Sequence, residues 1–316
     1  MTLPLVAVTG ATGFIGRRIV RALVEAGCNV RALARRLPAG EQADANDAVS
    51  WVLGSLTDRT TLGALVKDAI AVVHCAGATK AASREAFFAV NGAATRLLAE
   101  IAAAQSQPPR FVYLSSLAAR EPRLSAYAAS KRAGEQGLRA FQPDLPAIIL
   151  RPPAVYGPGD LETLKIFQMA VRGFVLAPMV DGARMSLVHV DDVAGAVMAA
   201  LDLDQLPDSP IEFDDGTSGG HTWPEIAAAA GTALRTTPRV VPVPAPALYL
   251  AGAAASLSSY LTRRPTVMSW GKVPEILHAD WVCTKGSFPG YKPLWNIEKG
   301  FKDAVTWYSS QGLLTS

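Results

Sequence analysis

A chain of 316 residues is long enough to bury a large core, either in one domain or in a domain with a smaller partner. Half of the residues are hydrophobic and 18% are charged, and the basic residues behind the net charge of +3 are spread along the chain. This composition is typical of a globular protein and gives no reason to propose nucleic acid as a partner.

The three cysteines, Cys28, Cys75 and Cys283, are widely spaced, and no pair forms a C-x-x-C motif. This pattern favours free thiols in a reducing compartment over disulfides or a metal site. From this cysteine pattern we expect no bound metal. We also expect a cytoplasmic location, because no signal-peptide pattern precedes the first predicted strand. The apolar stretch at 245–261 is interrupted by Gly252 and by serines, so no membrane span is expected. Attachment to a membrane surface through this stretch is the less favoured alternative.

The first predicted element is a strand at residues 5–8, a short apolar run. Three glycines follow with the spacing G-x-x-G-x-x-G, and residues 17–26 then have helical periodicity. A strand, a glycine turn and a helix in this order form a cradle for phosphate, because the glycines permit close approach and the helix N-terminus supplies amide donors. The alternative is a tight turn into a packed helix. The residues predicted to bind a nucleotide cofactor here are Gly10, Thr12, Gly13, Phe14, Ile15 and Gly16.

The end of the second predicted strand, Asn29–Ala34, indicates which cofactor binds. Enzymes that prefer NAD usually place Asp or Glu here, to bind the ribose 2′-hydroxyl. This chain has Arg35 and Arg36 instead, and a guanidinium group can bind the 2′-phosphate of NADP that a carboxylate would repel. We therefore predict NADP in preference to NAD, with two solvated loop arginines as the alternative.

Strands and helices alternate through the first half of the chain. After a predicted surface loop at 37–50, strands are predicted at 49–53, 69–73, 110–114 and 147–150, and helices at 59–68, 91–105 and 125–140. This alternation predicts an α/β protein with a doubly wound parallel sheet. The second half changes to predicted elements at 161–172 (helix), 184–190 (strand), 191 onward (helix), 224 onward (helix with a Thr222–Glu225 capping box) and 300–314 (surface helix).

Tyr127 and Lys131 are four residues apart on one predicted helix, so their side chains share a face. Ser116 follows the end of the predicted strand before that helix. A phenol has a reference pKa of about 10, but a neighbouring ammonium group favours the phenolate. We predict that Tyr127 exchanges a proton with a substrate oxygen, to which Ser116 donates a hydrogen bond. The alternative is an ordinary helix with an exposed Tyr–Lys pair.

Five motifs together resemble the extended short-chain dehydrogenases/reductases, the NAD(P)-dependent epimerase/dehydratase group. They are the glycine turn, a fifth strand ending in Ser115-Ser116, Y-A-A-S-K at 127–131, R-P-P-A-V-Y-G-P-G-D at 151–160 and H-V-D-D-V at 189–193. The resemblance implies a Rossmann domain at 1–155 and 188–210, and a smaller C-terminal substrate-binding domain at 156–187 and 211–316. It places the active site in the cleft between them.

The same resemblance implies the catalytic roles. Ser116, Tyr127 and Lys131 would form the catalytic group, with Lys131 also holding the nicotinamide ribose. Ser115 is the alternative to Ser116, because the choice depends on the register of the strand end. The implied substrate contacts come from Ser115, Ser125 and Arg184. Arg184 would bind a diphosphate or pair with a carboxylate, and these two interpretations are equally favoured.

Further residues are assigned to the cofactor by the resemblance. Leu56 and Asp58 would lie beside the adenine, although Asp58 is also suited to cap the next helix. Cys75, Ala76 and Gly77 would lie against the ribose and nicotinamide, and a metal or thiol role for His74 and Cys75 is less favoured. Asn91 would hold structure near Lys131, or cap its own helix. Pro152 and Val155 would lie near the nicotinamide.

Two departures from the family pattern narrow the predicted function. Only ten residues separate Ser116 from Tyr127, which is short for sugar-nucleotide epimerases. Leu117 and Ala118 stand where the dehydratases have Asp-Glu. We predict an NADP-dependent oxidoreductase that transfers hydride between nicotinamide and a secondary alcohol or carbonyl of a small organic substrate.

Two other functions remain as alternatives. They are a sugar-nucleotide 4-epimerase with tightly bound NAD, and a non-catalytic NAD(P)-binding sensor or assembly protein. The helices that carry Asn91 and Tyr127 also resemble the pair that forms the family's dimer contact, which predicts a homodimer.

Overall fold

The computed structural model describes residues 3–37, 48–262 and 266–314, so the predicted loop at 37–50 lies largely outside the described residues. Packing divides the chain into two units. Unit 1 comprises Met1–Arg151, Ala194–Ile211 and Pro289–Tyr291, and unit 2 comprises Pro152–Val193, Glu212–Phe288 and Lys292–Ser316. The nucleotide and substrate roles assigned to the two predicted domains stay predictions.

The elements of the described residues are numbered in chain order. The strands are β1 (Leu5–Thr9), β2 (Asn29–Ala34), β3 (Val49–Leu53), β4 (Ala71–His74), β5 (Arg110–Leu114), β6 (Ala147–Arg151), β7 (Ala154–Tyr156), β8 (Phe174–Pro178), β9 (Arg184–Met185), β10 (Leu187–His189), β11 (Ile211–Glu212), β12 (Arg239–Val243) and β13 (Asp280–Trp281). The α-helices are α1 (Phe14–Glu25), α2 (Arg59–Val66), α3 (Arg84–Phe88), α4 (Ala94–Ala103), α5 (Ala126–Arg139), α6 (Leu164–Val171), α7 (Val190–Leu201), α8 (Trp223–Leu234), α9 (Ala245–Thr262), α10 (Val273–Ile276) and α11 (Ile297–Ser310).

The central sheet has the strand order β11-β6-β5-β4-β1-β2-β3. Every pair from β6 to β3 is parallel. The residues of β4 and β6 are all buried, as expected for apolar strands covered on both faces by helices. The predicted doubly wound parallel sheet is confirmed, and it is a Rossmann fold in which the order reverses between β1 and β4.

The helix predicted to begin near Asn91 begins earlier in the structure. Ser83 caps α3, with its hydroxyl accepting a hydrogen bond from Ala86 N at 3.2 Å. One π-helical turn, Ala89–Ala93, then joins α3 to α4. The interpretation of Asn91 as a helix cap is therefore wrong, because Ser83 takes that position and Asn91 lies inside a continuous helical run.

The run Arg84–Ala103 is, by length and composition alone, able to cross a membrane, and it is the one such helix among the described residues. Its hydropathy has a different explanation. The side of α4 that carries Leu98, Ala99 and Ala102 is buried in the core of unit 1, against β5 residues such as Phe111 and Tyr113. This helix is apolar because it packs on the sheet.

Unit 2 contains three small parallel pairs, β7 with β10, β8 with β12 and β9 with β13. The single strand predicted at 184–190 is interrupted at Ser186. The Ser186 amide donates to Trp281 O at 2.9 Å, and its hydroxyl donates to Asp214 at 2.5 Å. Because β9 and β10 pair with different partners on either side of Ser186, the predicted strand divides into two.

The core of unit 2 is an aromatic cluster. The Phe167 ring on α6 lies 4.9 Å from Phe301 and 5.5 Å from Tyr308, both on α11. The predicted capping box at the start of α8 is present, since Thr222 and Glu225 bond each other's backbone amides. Helix α9 is 18 residues long, and Gly252 is its only buried residue.

Candidate active site

The glycine turn between β1 and α1 leaves no room for side chains at two positions. Gly10 has φ +74°, and a Cβ there would lie 2.6 Å from Ala76 N. A Cβ at Gly16 would overlap the Gly10 carbonyl. Gly13 closes the turn, donating its amide to Gly10 O at 2.9 Å, and serves as the N-cap of α1.

This turn fits the diphosphate of a dinucleotide. Two of its glycines hold the backbone where any larger residue would clash, so the turn stays tight. The first turn of α1 carries Phe14 and Ile15 and contains no acidic residue, so nothing there repels an anion. The exposed Thr12 lies in the turn itself. Amide donors and the helix dipole at this point attract phosphate.

His74, at the end of β4, joins three elements. Its Nδ1 accepts from the Thr9 hydroxyl at 2.6 Å, and its Nε2 donates to Thr95 Oγ1 at 2.9 Å. This tautomer follows because the Thr95 hydroxyl proton is donated to Asn91 O at 2.9 Å. Burial, with the nearby Lys131 ammonium, lowers the pKa of His74 to about 3. The ring is therefore neutral and structural, which supports the interpretation of His74 as a buried residue.

Cys75 follows directly and is equally unsuited to a reactive role. Its Sγ donates to Thr9 O at 2.8 Å. Burial raises the pKa of the thiol to about 12, so the nucleophilic thiolate is absent at neutral pH. Ala76 and Gly77 continue the chain, with Ala76 packed on Gly10. Within the described residues, no group of three His, Cys, Asp or Glu side chains could hold a metal ion.

Lys131 is almost completely buried on α5, with 4% of its surface exposed. Its Nζ donates to Leu114 O, at the end of β5, at 2.8 Å, and lies 4.6 Å from the centre of the Tyr113 ring. A Cβ at Gly77 would lie 3.6 Å from the same Nζ. The Lys131 ammonium group therefore lies next to the carboxyl ends of β4 and β5.

Burial disfavours the charged form of this ammonium group. Burial lowers the pKa of Lys131 to about 8, while the Glu135 carboxylate acts in the opposite direction. Tyr127 lies one helical turn earlier on α5, half-buried, with its ring 6.1 Å from that of Phe87.

Asn91 ties the loop after Gly77 to α5. Its Oδ1 accepts from Ala78 N at 2.8 Å, and its Nδ2 donates to Ala78 O at 3.0 Å and to Ser130 Oγ at 2.9 Å. Ser130 immediately precedes Lys131, so Asn91 connects the backbone of Ala78 to the side chain next to Lys131 on α5. This is the position in which the resemblance places it.

The two serines after β5 have different environments. Ser115 is buried, and its hydroxyl donates to Glu135 Oε1 at 2.7 Å. Ser116 is half-buried, and its Oγ accepts from Ala118 N at 3.2 Å, capping a short 3₁₀ turn. Accepting that bond leaves the Ser116 proton available to a substrate. The geometry favours Ser116 over Ser115 as the substrate's hydrogen-bond donor.

Glu135 and Arg151 form a buried pair that the sequence interpretation did not include. The Arg151 guanidinium donates to both Glu135 oxygens, at 2.8 and 2.7 Å, and Arg132 adds a third contact at 3.3 Å. Glu135 is four residues after Lys131, on the same helix face. Its burial required a cation, and Arg151, at the end of β6, supplies it.

The residues predicted at the adenine end lie near the surface. Arg35 and Arg36 are exposed directly after β2. Leu56 is half-buried and packs against the core of unit 1. Asp58 caps α2, accepting from Thr60 N at 3.0 Å and Thr61 N at 3.3 Å, and the hydrogen bonds from Thr61 lower its pKa. The capping role proposed for Asp58 is thus present.

The remaining predicted residues are held by local contacts. Ser125 caps α5, its hydroxyl accepting from Ala128 N at 3.0 Å. In unit 2, Arg184 donates to Gly219 O at 2.5 Å and Gly220 O at 2.8 Å and lies 3.7 Å from Glu225. The carboxylate partner proposed for Arg184 is therefore present. Pro152 and Val155 also belong to unit 2, and their contact with nicotinamide stays a prediction.

A separate cavity of about 460 Å³ lies at the amino ends of the central strands. Pro4, Ile70 and Arg110 line it, next to the beginnings of β1, β4 and β5. Ligands of open α/β sheets bind at the carboxyl ends of the strands. None of the predicted site residues lines this cavity, so we do not assign it to the site.

Comparison with known proteins agrees with this geometry. The NAD dependent epimerase/dehydratase family matches residues 6–212. "Ceramide reductase" from Caulobacter vibrioides is 42% identical over 313 residues, which cover 98% of this chain and 96% of that protein.

Two solved structures share the fold at low identity. MoeE5 in complex with UDP-glucose and NAD is 21% identical, with TM-score 0.70, covering 98% of this chain and 100% of that one. The UDP-glucuronic acid 4-epimerase from Bacillus cereus in complex with NAD is 16% identical, with TM-score 0.70, covering 97% of this chain and 99% of that one. The chain belongs to the NAD-dependent epimerase/dehydratase family, the extended short-chain dehydrogenases/reductases, and is an NAD(P)-dependent enzyme of that family.

Proposed function

We propose that this protein is an NADP-dependent reductase that converts a ketone of a ceramide-type lipid to a secondary alcohol. One observation carries the reaction type. At the carboxyl end of β5, a buried ammonium group on Lys131 lies one helical turn from Tyr127, and the neighbouring Ser116 hydroxyl is available to donate. This set can bind a carbonyl oxygen and protonate it.

The protein residues handle the proton and the charge. When bound in the glycine turn, the nicotinamide cofactor supplies the hydride. Tyr127 gives its proton to the alkoxide that develops on the substrate, and Ser116 donates a hydrogen bond to the same oxygen. The Lys131 ammonium stabilises the phenolate that remains on Tyr127. Ser115 and Glu135 hold the end of β5 against α5, which fixes the position of Ser116.

The substrate class comes from a relative. The Caulobacter protein named ceramide reductase matches nearly all of both chains at 42% identity. The spacing between Ser116 and Tyr127 agrees with this choice, since only ten residues separate them. A reductase for a long lipid needs no extended loop to enclose a sugar nucleotide.

The cofactor preference rests on the end of β2. Arg35 and Arg36 are both exposed there, with no acidic residue between β2 and Leu37. In this position they are able to bind a 2′-phosphate.

A second function has its own support. Relatives at lower identity include a UDP-glucose 4-epimerase from Vibrio cholerae, 24% identical over 95% of this chain. An epimerase of this type retains NAD through both halves of its reaction. Purified protein that released NAD on denaturation and did not oxidise NADPH would favour this function. A non-catalytic sensor would bind cofactor without turning over any substrate.

The test is reduction of a ketone-containing ceramide in detergent micelles, with NADPH and NADH compared side by side. We expect turnover with NADPH, and a lower KM for NADPH than for NADH. Tyr127→Phe should keep NADPH affinity and lower kcat by about 10²- to 10⁴-fold, the range for loss of a general acid. Turnover that survives this change would refute the role of Tyr127. Turnover of sugar nucleotides in place of the lipid would refute the substrate class.

A further inference from the structure

Helix α9 presents a row of exposed apolar side chains. Leu250, Leu257 and Leu261 are 72%, 60% and 70% exposed, and the exposed Ala254 lies between the first two. Their spacing of four, three and four residues places them on one face of the helix. We call these four residues the α9 stripe. Apolar surface of this length on a helix marks an interaction site.

The opposite face of α9 is fixed to its own unit. A Cβ at Gly252 would lie 3.0 Å from Val273 Cγ2, so the backbones pack closely there. Ser256 Oγ accepts from Trp270 N at 3.0 Å, and the Tyr249 and Trp270 rings are 4.8 Å apart. These contacts hold the helix and turn the α9 stripe outward.

The stretch of sequence that contains α9 carries charge of one sign. From Ile226 to Pro274 the sequence contains no Asp or Glu, but it contains five basic residues, Arg235, Arg239, Arg263, Arg264 and Lys272. Lys272 pairs with Glu275, just beyond this stretch. Arg235 and Arg239 are exposed. Exposed leucines within a stretch of sequence that is basic and free of acidic residues are complementary to an apolar phase bounded by anions.

Two aromatic residues of this region are also exposed. Tyr260, on α9, is 82% exposed, and Trp270, whose ring packs against Tyr249, is 54% exposed. Rings of this kind concentrate at the level of lipid headgroups. We propose that the α9 stripe docks on the surface of an anionic lipid bilayer, with α9 lying parallel to the membrane plane.

A second copy of the chain is the competing occupant, and the charge argues against it. Two α9 stripes packed together would bring the same acid-free stretches face to face, where like charges repel. A membrane span is excluded by the fixed inner face, because Gly252 and Ser256 are occupied by the protein's own backbone. This inference does not depend on the proposed function.

The experiment is flotation of the full-length protein with lipid vesicles. One set contains phosphatidylcholine alone, and the other contains phosphatidylcholine mixed with phosphatidylglycerol. We expect the protein to float with the anionic set and to be released by added salt. The variant Leu250→Gln/Leu257→Gln/Leu261→Gln should lower the partition constant at least tenfold. The matched control, Leu3→Gln/Leu294→Gln/Leu313→Gln, changes three exposed leucines elsewhere and should float like the wild type.

A second variant, which leaves the α9 stripe intact, distinguishes loss of membrane binding from misfolding of the leucine variant. Arg235→Gln/Arg239→Gln leaves the leucines intact and should reduce flotation with the anionic vesicles only. Unfolding midpoints equal to the wild type would show that each variant is folded. Wild-type protein that stays at the bottom of both gradients would overturn the proposal. So would a triple leucine variant that floats normally, or one that changes a dimer to a monomer in light scattering without affecting flotation.

Discussion

At the scale of single residues, the adjacent serines after β5 divide two tasks. Ser115 donates to buried Glu135, whereas half-buried Ser116 caps a short 3₁₀ turn and keeps its proton. Ser116→Ala should lower kcat by about 10²- to 10³-fold, as expected for loss of a donor to a developing oxyanion. It should lower the unfolding free energy by about 1 kcal/mol or less, through loss of the cap on the 3₁₀ turn.

Ser115→Ala is the matched control and should show the reverse pattern. It removes one partner of a buried carboxylate, so the unfolding free energy should fall by about 1–3 kcal/mol. Its kcat should remain within a few-fold of the wild type. Urea unfolding and NADPH oxidation measured on both variants decide the assignment. A large loss of kcat in Ser115→Ala with none in Ser116→Ala would reverse it.

Lys131 makes stability depend on pH in a direction opposite to that of a salt-bridged lysine, whose pKa is raised on folding. Burial lowers its pKa in the folded protein to about 8, whereas a free lysine titrates near 10.4. Between these values the unfolded chain binds more protons, so the free energy of unfolding rises with pH. The full contribution of this residue across the window is ~3 kcal/mol.

The variant Lys131→Met removes this contribution. The difference in unfolding free energy between wild type and variant should change steadily from pH 8 to pH 10.5, with the wild type gaining as pH rises. Titrating groups that do not interact with residue 131 affect both proteins equally and cancel. Urea unfolding of the cofactor-free proteins at several pH values measures the difference. Parallel curves would mean that Lys131 is not a buried cation.

At the scale of elements, two helical glycines allow a direct comparison. A Cβ at Gly16, in α1, would overlap the Gly10 carbonyl, whereas a Cβ at Gly63, in α2, would meet nothing within 4 Å. Gly16→Ala should push α1 away from the turn, lowering NADPH affinity at least tenfold and stability by about 1–3 kcal/mol. Gly63→Ala should raise stability by about 0.5–1 kcal/mol, because alanine loses less backbone entropy in a helix. Thermal unfolding and NADPH fluorescence titration test both, and unchanged NADPH binding in Gly16→Ala would contradict the cradle.

The elements of unit 1 were predictable because their signals are local. The bounds of β2, β3 and β5 agree with the prediction, since each is a short apolar run ended by polar residues, glycine or serine. The strands β8 and β12 were missed. Each is five residues long and contains a proline, and their pairing joins segments about 65 positions apart. Their pairing, not their composition, makes them strands.

The same distinction applies to the site. The glycine turn and the Tyr127–Lys131 pair each involve residues that are close together in the sequence, so both were predicted. The tether from Thr9 through His74 to Thr95 joins residues 65 and 21 positions apart. The Glu135–Arg151 pair joins a helix to a strand end. No local sequence pattern identifies such distant partners, so they become apparent only in the folded structure.

At the scale of the whole molecule, the homodimer stays a prediction. The helices α4 and α5 pack closely through glycine, since a Cβ at Gly137 would lie 3.0 Å from Arg96 Cβ. Ala93 and Arg96 remain exposed beside this contact. If two copies join here, Ala93→Arg should produce monomers, because it places another positive charge at a close-packed contact.

Light scattering gives the mass directly. The exposed Ala228 on α8 provides the control, since Ala228→Arg should leave the dimer intact. A monomer mass for the wild type at working concentration would contradict the prediction.

The turn around Gly10 has a consequence for how this enzyme can change. Its walls are backbone atoms, namely the Gly10 carbonyl, the Gly13 amide and the Ala76 amide. Backbone atoms are the same in every residue, so this part of the site recognises what all dinucleotides share and cannot distinguish between them. Discrimination must come from side chains outside the turn, such as those at the solvent-exposed end of β2. An enzyme organised in this way can exchange one nicotinamide cofactor for another through a few surface substitutions, while the interior of its sheet stays unaltered.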